Sequence, residues 1–349
     1  MTNGQVTPFI WHGEVLEVLD QRLLPAEEVW RAHSDVEGVY QAIHEMQVRG
    51  APAIGIVAAY GVVLAARGCA RASDWYSRLG ASIDWLAQAR PTAVNLVWAL
   101  ERMRGCLDQV ADAPELVRVL EAEAQRIHEE DAAANHAMGV LGADRILSGG
   151  GGPRRILTHC NTGALATGGQ GTALGVVREL FSRGVLGCVH MDETRPWLQG
   201  ARLTAWECER EGMPCSLNVD GAAATLMAQG QVDWVVVGAD RITANGDVAN
   251  KIGTLPLAIL ARHFGVGMMV VAPSSTLDGA TPSGDRIDIE ERDGKELRRS
   301  GRRWLAPNSV TVFNPVFDVT PASLVDVIVT ETGVCEAPGN QMAPLQSLT

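Results

Sequence analysis

ILTHCNTGALATGGQGTALGVVREL, residues 156–180, begins as an apolar β-type run and ends as an amphipathic helix. Between the two lies a stretch of Gly, Thr, Ala and Asn that contains Cys160 and no charged residue. Backbone N–H groups at such a strand-to-helix turn favour an anion without any Lys or Arg. The stretch therefore predicts a parallel α/β sheet with either an anion-binding loop or a tight turn whose cysteine packs in the core.

Downstream of this stretch, short β-rich runs alternate with helical segments. The β-rich runs are RRILTHC, GVLGCVHMDE, VDWVVVGAD, GVGMMVVAPSS and DVIVTE. The alternation predicts a Rossmann-like, doubly wound parallel sheet. Ligands bind outside the carboxyl ends of the strands in such sheets. The residues that directly follow the predicted strands are therefore candidates for a site: Cys160, Asp192, Glu193, Asp240, Ser274 and Ser275.

Upstream, residues 14–145 carry apolar side chains mostly at three- and four-residue spacing, which predicts helices. The sequence SGGGGPR, residues 148–154, is rich in helix breakers. We therefore expect a smaller, mainly helical N-terminal domain over residues 1–147 and a Rossmann-like catalytic domain over residues 148–349.

Composition excludes several classes of protein. The chain has 349 residues, a net charge of -12 and 46% apolar residues, which is typical of a globular protein without a nucleic-acid-binding surface. The uncharged stretch 51–66 contains Gly and Pro and is short for a membrane span. No secretory signal pattern opens the chain, and seven cysteines show no disulfide or zinc pattern. We expect a cytoplasmic protein that binds neither nucleic acid nor membrane.

No cofactor or metal motif stands out in the sequence. A GxG begins at Gly169, but Leu174 stands where a dinucleotide fingerprint needs its third glycine. The chain has no P-loop, no HExxH and no GxSxG elbow. We therefore expect neither a cofactor nor a metal.

A second candidate stretch is VDWVVVGADRITANGDVANKIGTL, residues 232–255. An apolar strand delivers Asp240 to the edge of the sheet, where desolvation favours a general acid or base. Asn250 and Lys251, at a predicted helix start, are suited to hold a hydroxyl or a phosphate. Only two of the 29 basic residues are lysines, and the other one, Lys295, lies in a charged stretch typical of a solvated surface. The alternative interpretation of this stretch is a helix cap with surface ion pairs.

Three further motifs contain polar residues that suit an anionic ligand. Arg49 and Gly50 precede the uncharged helix of MQVRGAPAIGIVAAYG, and Arg90 has a similar place in QARPTAVNLVWALERM. Arginine binds phosphate oxygens through two hydrogen bonds, although each of these arginines is also compatible with a solvated capping turn. MDETRPWLQGARLTAWE adds Gln199.

Together these stretches closely resemble the methylthioribose-1-phosphate isomerase family of methionine salvage. The resemblance covers about residues 10–335 and rests on VRGAPAIG, RPTAVNL, HCNTGALAT, GQGTALG, DETRPWLQGARLTAWE, GADRITANGDVANKIGT and NPVFDVTP, in the order of the family. It implies conversion of 5-methylthioribose 1-phosphate to 5-methylthioribulose 1-phosphate by a homodimer. Carried over position by position, it implies Cys160 and Asp240 as the catalytic pair. It also implies that substrate is contacted by Arg49, Gly50, Ala51, Arg90, Gln199, Asn250 and Lys251.

The same fold serves other activities, which remain alternatives on sequence grounds. One is an isomerase of 5-deoxyribose 1-phosphate or of ribose 1,5-bisphosphate. Another is a non-catalytic regulatory subunit of the guanine-nucleotide exchange factor of translation initiation. A binding module has little need for both Cys160 and Asp240 at adjoining strand ends, and a bisphosphate calls for a second cationic cluster that the sequence does not offer.

Overall fold

A computed structural model describes residues 6–90, 93–109, 113–301, 303–340 and 348. Its helices are α1 Val36–His44, α2 Ala51–Cys69, α3 Trp75–Ala87, α4 Val94–Gly105, α5 Ala113–Leu147, α6 Ala173–Ser182, α7 Ala205–Arg210, α8 Ala223–Ala228, α9 Thr254–Phe264 and α10 Lys295–Arg298. Its strands are β1 Phe9–Trp11, β2 Leu16–Leu19, β3 Trp30–His33, β4 Arg154–Thr158, β5 Leu186–Asp192, β6 Cys215–Asn218, β7 Trp234–Val237, β8 Arg241–Thr243, β9 Val248–Lys251, β10 Gly267–Val271, β11 Leu277–Asp278, β12 Arg299–Ser300, β13 Arg303–Trp304, β14 Phe317–Thr320, β15 Val327–Val329 and β16 Val334–Glu336.

The chain forms two compact units whose boundary is crossed more than once. The first unit holds residues 1–137 and 162–175, and the second holds residues 138–161 and 176–349. The loop that follows Cys160 thus belongs to the first unit, while Cys160 itself belongs to the second. The single domain boundary at residue 147 stays a prediction.

The first unit is mainly helical, as the sequence predicts. A three-stranded antiparallel sheet, in the order β1-β2-β3, accompanies the helices. Helix α2 is apolar on every side and nearly all of its residues are buried, which is typical of a central core helix. Among the described residues, α2 alone is long and apolar enough to cross a membrane, and 78% of its most apolar window is buried within the protein.

The second unit is built on a seven-stranded sheet in the order β16-β15-β10-β7-β4-β5-β6. All of its neighbouring strands run parallel except β16, which pairs antiparallel with β15. The chain starts at the central β4, adds β5 and β6 on one side, and then returns to add β7, β10 and β15 on the other. The order therefore reverses between β4 and β7, and their carboxyl ends are the place where such a sheet leaves a crevice.

A smaller sheet follows β7 and differs from the sequence-based expectation. Its order is β11-β8-β9-β14, with β8 and β9 antiparallel. Asn250 and Lys251 lie at the end of β9, whereas helix α9 begins only at Thr254. The prediction of a helix start at Asn250 was wrong, because the pairing of β9 with β14 extends the backbone through Lys251.

Candidate active site

Cys160 lies two residues beyond the end of β4 in a conformation that is unusual for a residue with a side chain. Its φ is 65° and it is buried. Such a left-handed conformation costs on the order of 1–3 kcal/mol unless neighbours fix it. The Cys160 N–H donates to Thr194 Oγ1 at 2.8 Å, and its carbonyl accepts from Thr204 Oγ1 at 2.6 Å. Two threonine hydroxyls therefore hold the backbone on both sides of this cysteine.

Beneath Cys160, a buried ionic network fixes the next residue. Asn161 Nδ2 donates to Glu207 Oε1 at 2.7 Å, and Arg178 forms an ion pair with Glu207 at 2.7 Å. Burial alone would lower the pKa of Arg178, but Glu207 and Glu211 raise it above its ordinary value. Because each of these groups has a partner, the network leaves no buried charge unpaired and fixes the position of the strand end.

His159, the residue before Cys160, has both ring nitrogens engaged. Nδ1 lies 3.2 Å from Asp192 Oδ2, and Nε2 lies 2.8 Å from the carbonyl oxygen of Ile252. Both side chains are almost completely buried, and burial raises the pKa of Asp192 while His159 partly offsets this effect. The sequence singles out Asp192 as a strand-end residue, but a lone histidine beside a cysteine gives no signal of this pairing.

Ligand atoms of His159, Asp192 and Asp220 lie within 4.8 Å of one another, close enough to hold a cation. The Asp220 carboxylate is, however, already occupied by the backbone N–H groups of Thr194 and Arg195, at 2.7 and 2.8 Å. The two nitrogens of His159 are occupied as described above. We therefore assign this cluster to internal hydrogen bonding.

Asp240 follows β7, the neighbour of β4, so it and Cys160 lie at the carboxyl ends of adjacent parallel strands. Its backbone N–H donates to the Ala249 carbonyl at 2.9 Å, and its side chain is half-buried. The structure thus brings the two predicted catalytic residues to the same edge of the sheet.

Asn250 and Lys251 lie at the end of β9 and are both buried, with 4% and 8% of their surface exposed. Asn250 Nδ2 donates to Thr254 Oγ1 at 3.0 Å, and Lys251 Nζ lies 5.0 Å from the centre of the Phe317 ring. The other lysine, Lys295, is exposed on α10 beside Asp293, as the sequence predicts.

Gln199 directly precedes a π-helical turn, residues 200–204, that leads into α7. The residue is 5% exposed, and its Oε1 is buried without a hydrogen-bond partner among the residues the structure describes. A buried amide oxygen without a partner is costly. This oxygen is therefore available to accept a hydrogen bond from a ligand hydroxyl.

In the first unit, Arg49, Gly50 and Ala51 form the entry to α2. Gly50 has a φ of 98°, and a Cβ at this position would lie 2.5 Å from Ala166. Only glycine fits here, because both the backbone conformation and the close approach of the loop exclude a side chain. Arg49 and Ala51 are half-buried on either side of it.

The loop after Cys160 is tied to its own unit by polar contacts. Gln21 Nε2 donates to the Leu165 carbonyl at 2.8 Å, and Asp131 accepts from the Gly168 N–H at 2.7 Å. The N–H groups of Gly169 and Gly171 donate to Thr167 Oγ1. These N–H groups already donate to oxygen atoms of the protein. An anion bound by the loop would therefore have to accept hydrogen bonds from other N–H groups or from hydroxyls of the loop.

Arg90 ends the segment that follows α3, and its carbonyl accepts from the Ala93 N–H at 3.0 Å. The next two residues of the RPTAVNL motif, 91 and 92, lie outside the described residues.

Comparison with known proteins agrees with this architecture. A family model described as the initiation factor 2 subunit family matches residues 47–337. A protein of Pseudomonas aeruginosa strain UCBPP-PA14 named methylthioribose-1-phosphate isomerase is 58% identical over 339 residues, which are 97% of this chain and 94% of that protein.

Two solved structures show the same fold over nearly the whole chain. 5-Methylthioribose 1-phosphate isomerase from Pyrococcus horikoshii OT3 superposes with a TM-score of 0.90 at 42% identity, covering 98% of this chain and 95% of that one. Translation initiation factor eIF-2B subunit delta from A. fulgidus superposes with a TM-score of 0.87 at 37% identity, covering 98% and 99%. Because two differently named proteins share the fold, the chemistry must be argued from the site residues.

Proposed function

The chain belongs to the initiation factor 2 subunit family and, within it, to the methylthioribose-1-phosphate isomerases, and on this premise we propose that Cys160 and Asp240 carry the isomerisation. The protein is an aldose-ketose isomerase of methionine salvage. Its substrate is 5-methylthioribose 1-phosphate and its product is 5-methylthioribulose 1-phosphate. The single observation that best supports the catalytic pair is their position at the carboxyl ends of the adjacent strands β4 and β7.

The phosphate on C1 decides what the enzyme must do. An ordinary aldose opens its ring through a free anomeric hydroxyl, but here the phosphate blocks that route. The bond between C1 and the ring oxygen must break while the ring oxygen gains a proton. The hydrogen on C2 must then move to C1, and the C2 hydroxyl must lose its proton to become the ketone. Reactant and product are isomers, so the reaction consumes no external oxidant or reductant.

We assign the proton on the ring oxygen to Asp240 and the stabilisation of the hydrogen transfer to Cys160. After ring opening, the Asp240 carboxylate is able to take the proton that leaves the C2 hydroxyl, which restores the acid. A half-buried carboxyl group beside an apolar strand suits this exchange. The buried Cys160 is held in one backbone conformation, which suits a group that acts at a fixed distance.

Substrate binding is assigned to the polar residues around this pair. The buried cation of Lys251 suits the phosphate, while Asn250 and the unpaired Gln199 oxygen suit sugar hydroxyls. The family resemblance assigns Arg49, Gly50, Ala51 and Arg90 to substrate contact as well, and the glycine-only geometry of Gly50 supports a specialised role for that turn.

The proposal extends to the fold class, the oligomeric state and the location of the protein. The 3-2-1-4-5-6 order of β6, β5, β4, β7, β10 and β15 supports a Rossmann-like sheet. A homodimer and a cytoplasmic location complete the proposal. Sedimentation of the purified protein at two concentrations tests the dimer, and a single species of monomer mass at both would contradict it.

A substrate panel tests the proposed function. The purified protein is given 5-methylthioribose 1-phosphate, 5-deoxyribose 1-phosphate and ribose 1,5-bisphosphate, and ketose formation is followed. We expect the highest kcat/KM with the methylthio sugar. A preference for either of the other sugars would replace the proposed substrate, and no turnover of any of them would indicate a binding module.

Solvent deuterium tests for hydrogen transfer through an enediol whose base exchanges with solvent. Deuterium at C1 of the ketose indicates an enediol, in which a base removes the C2 hydrogen as a proton. Absence of deuterium is expected when C2 passes hydride directly to C1, or when a base shielded from solvent returns the same proton.

A further inference from the structure

The hydrogen bonds of His159 imply a buried proton that takes no part in the catalytic steps assigned above. Nε2 faces the Ile252 carbonyl at 2.8 Å, and a carbonyl only accepts, so Nε2 carries a hydrogen. Nδ1 faces Asp192 Oδ2 at 3.2 Å. A neutral ring with its hydrogen on Nε2 would place a lone pair against a carboxylate. The contact is favourable only if one more proton lies on Nδ1 or on Asp192.

The surroundings favour retention of this proton. His159 and Asp192 are 2% and 1% exposed, so little solvent screens them. The charged neighbours of Asp192 are mostly acidic: Asp220 and Glu193 both act to raise its pKa, in addition to burial. Asp318, on β14, also interacts electrostatically with His159, and the cationic Lys251 lies on β9. Without that proton, Asp192 would carry a buried negative charge beside acidic neighbours and a neutral histidine, which is unfavourable.

We propose that His159 and Asp192 share one buried proton, and that the protonated pair positions Cys160 and Lys251 relative to each other. His159 is a positioning residue in this proposal, because it acts on the reacting groups through their backbone. The proposal rests on the proposed function, because that function assigns Cys160 to catalysis and Lys251 to phosphate binding.

Hydrogen bonds on the backbone and on the side chain of Asp192 connect the two segments. The Cys160 N–H donates to Thr194 Oγ1, and Thr194 Oγ1 donates to the Asp192 carbonyl at 3.0 Å. The Asp192 side chain then meets His159, and His159 donates to Ile252, the neighbour of Lys251. Loss of the shared proton would break this connection between Asp192 and His159.

Gly253 makes the last link possible. Its φ is 110°, and a Cβ there would lie 2.7 Å from His159 Nε2. The chain thus leaves space for the imidazole to reach the Ile252 carbonyl, which supports a specific role for this contact.

Two substitutions of Asp192 separate positioning from proton chemistry. Asp192→Asn provides a permanent N–H donor to Nδ1, so the connection to His159 survives without the proton. We expect its kcat to stay within about threefold of wild type, the value of less than one ordinary hydrogen bond. Asp192→Ala removes the partner of Nδ1, and we expect roughly a hundredfold loss in kcat from misplaced groups. Equal losses in the two variants, with both folded by circular dichroism, would overturn the positioning role.

The pH profile gives a readout that a merely structural role would not move. The proton is present at low pH and is lost as pH rises, so wild-type kcat should fall on the alkaline side. Asp192→Asn should lack this alkaline limb, because an amide does not titrate there. Asp20→Asn, which removes a buried carboxylate elsewhere, is the matched control and should keep the wild-type profile. An unchanged alkaline limb in Asp192→Asn would contradict the proposal.

Proton NMR tests the shared proton independently of activity. Besides the signal of the His159 Nε2 hydrogen, we expect a second downfield, slowly exchanging signal in the wild type at neutral pH that is absent from both Asp192→Asn and His159→Gln. Absence of such a signal from the folded wild type would overturn the shared proton. If the wild type isomerises none of the sugar phosphates, the proposed function fails, and this measurement still decides the proton count.

Discussion

Asp20 and Asp192 are two aspartates at strand ends that expose almost no surface to solvent and have different partners. Asp20 follows β2 and is 0% exposed, and Asp192 ends β5 and is 1% exposed. Burial acts to raise both pKa values. Hydrogen bonds from Arg22 and Arg31 reverse the effect at Asp20 and lower its pKa to about 2. At Asp192 the side-chain hydrogen-bond partner is His159, and burial prevails and raises the pKa.

The difference shows that two arginine partners outweigh the effect of burial on the pKa of a carboxyl group, whereas one histidine partner does not. Arginine is always protonated in proteins, so it fixes Asp20 as a permanent charge that contributes to stability. A histidine side chain is not permanently charged, so a histidine partner does not fix Asp192 as an anion in the same way. The comparison predicts that substitutions at the sheet edge affect turnover, whereas substitutions at Asp20 affect folding.

The largest effect on turnover is expected at Asp240, at the same sheet edge as Asp192. Asp240→Asn keeps the shape of the side chain but cannot deliver a proton to the ring oxygen. General acid–base groups contribute roughly 10²–10⁴-fold in rate, so kcat should fall by at least about a hundredfold. Steady-state kinetics with direct measurement of product binding should show a much smaller change in affinity. A kcat within about threefold of wild type, outside that range, would mean that the proton comes from another group.

Cys160 is expected to come next. Cys160→Ala should remove most of the activity without unfolding the protein, and Cys160→Ser tests whether a hydroxyl replaces the thiol. Cys215→Ala is the matched control, since Cys215 is exposed on β6 and should have no effect on kcat. Near wild-type rates for both Cys160 variants would reduce this cysteine to a packing residue.

The two lysines extend the comparison from carboxylates to cations. A smaller effect is expected from substitution of Lys251, and none from substitution of Lys295. Lys251→Ala removes a buried charge proposed to hold the phosphate, and a charged hydrogen bond is worth about 1.5–3 kcal/mol, or roughly tenfold to a hundredfold in affinity. Lys295→Ala should leave both binding and turnover unchanged, because Lys295 is exposed and paired only with Asp293 among the described residues. Titration calorimetry with the product should separate the variants, and equal affinities would remove Lys251 from the site.

The smallest effect on turnover is expected at Asp20, where stability should change instead. The pKa of Asp20 is about 2 in the folded protein and has its ordinary value, near 4, in the unfolded chain. Its ion pairs therefore stabilise the fold fully above about pH 4, and this stabilisation is lost as the pH falls toward 2. Asp20→Asn should therefore cost roughly 2 kcal/mol of unfolding free energy at pH 7 and flatten the loss between pH 4 and pH 2. Urea unfolding measures both. A variant with wild-type stability and reduced kcat would reverse the comparison between Asp20 and Asp192.

The sequence predicted the parts of the fold that follow from local pattern. Apolar spacing over residues 14–145 indicated helices, and the alternation after residue 154 indicated a parallel sheet. The strand-end rule brought Cys160, Asp192 and Asp240 to one edge, because parallel strands present their carboxyl ends together. The same local reasoning failed for Asn250, where pairing of β9 with the distant β14 overrode the predicted helix start.

By itself, the sequence determined the family, the helical and α/β regions and the residues proposed for chemistry, because each is written in the order of side chains along the chain. Only the tertiary structure decided the conformation and the hydrogen-bond partners of the site residues. The left-handed Cys160 is held by Thr194 and Thr204, and His159 is engaged by both Asp192 and Ile252. These contacts join residues far apart in sequence, and the strength of each depends on burial and on the partner opposite, which no local pattern encodes.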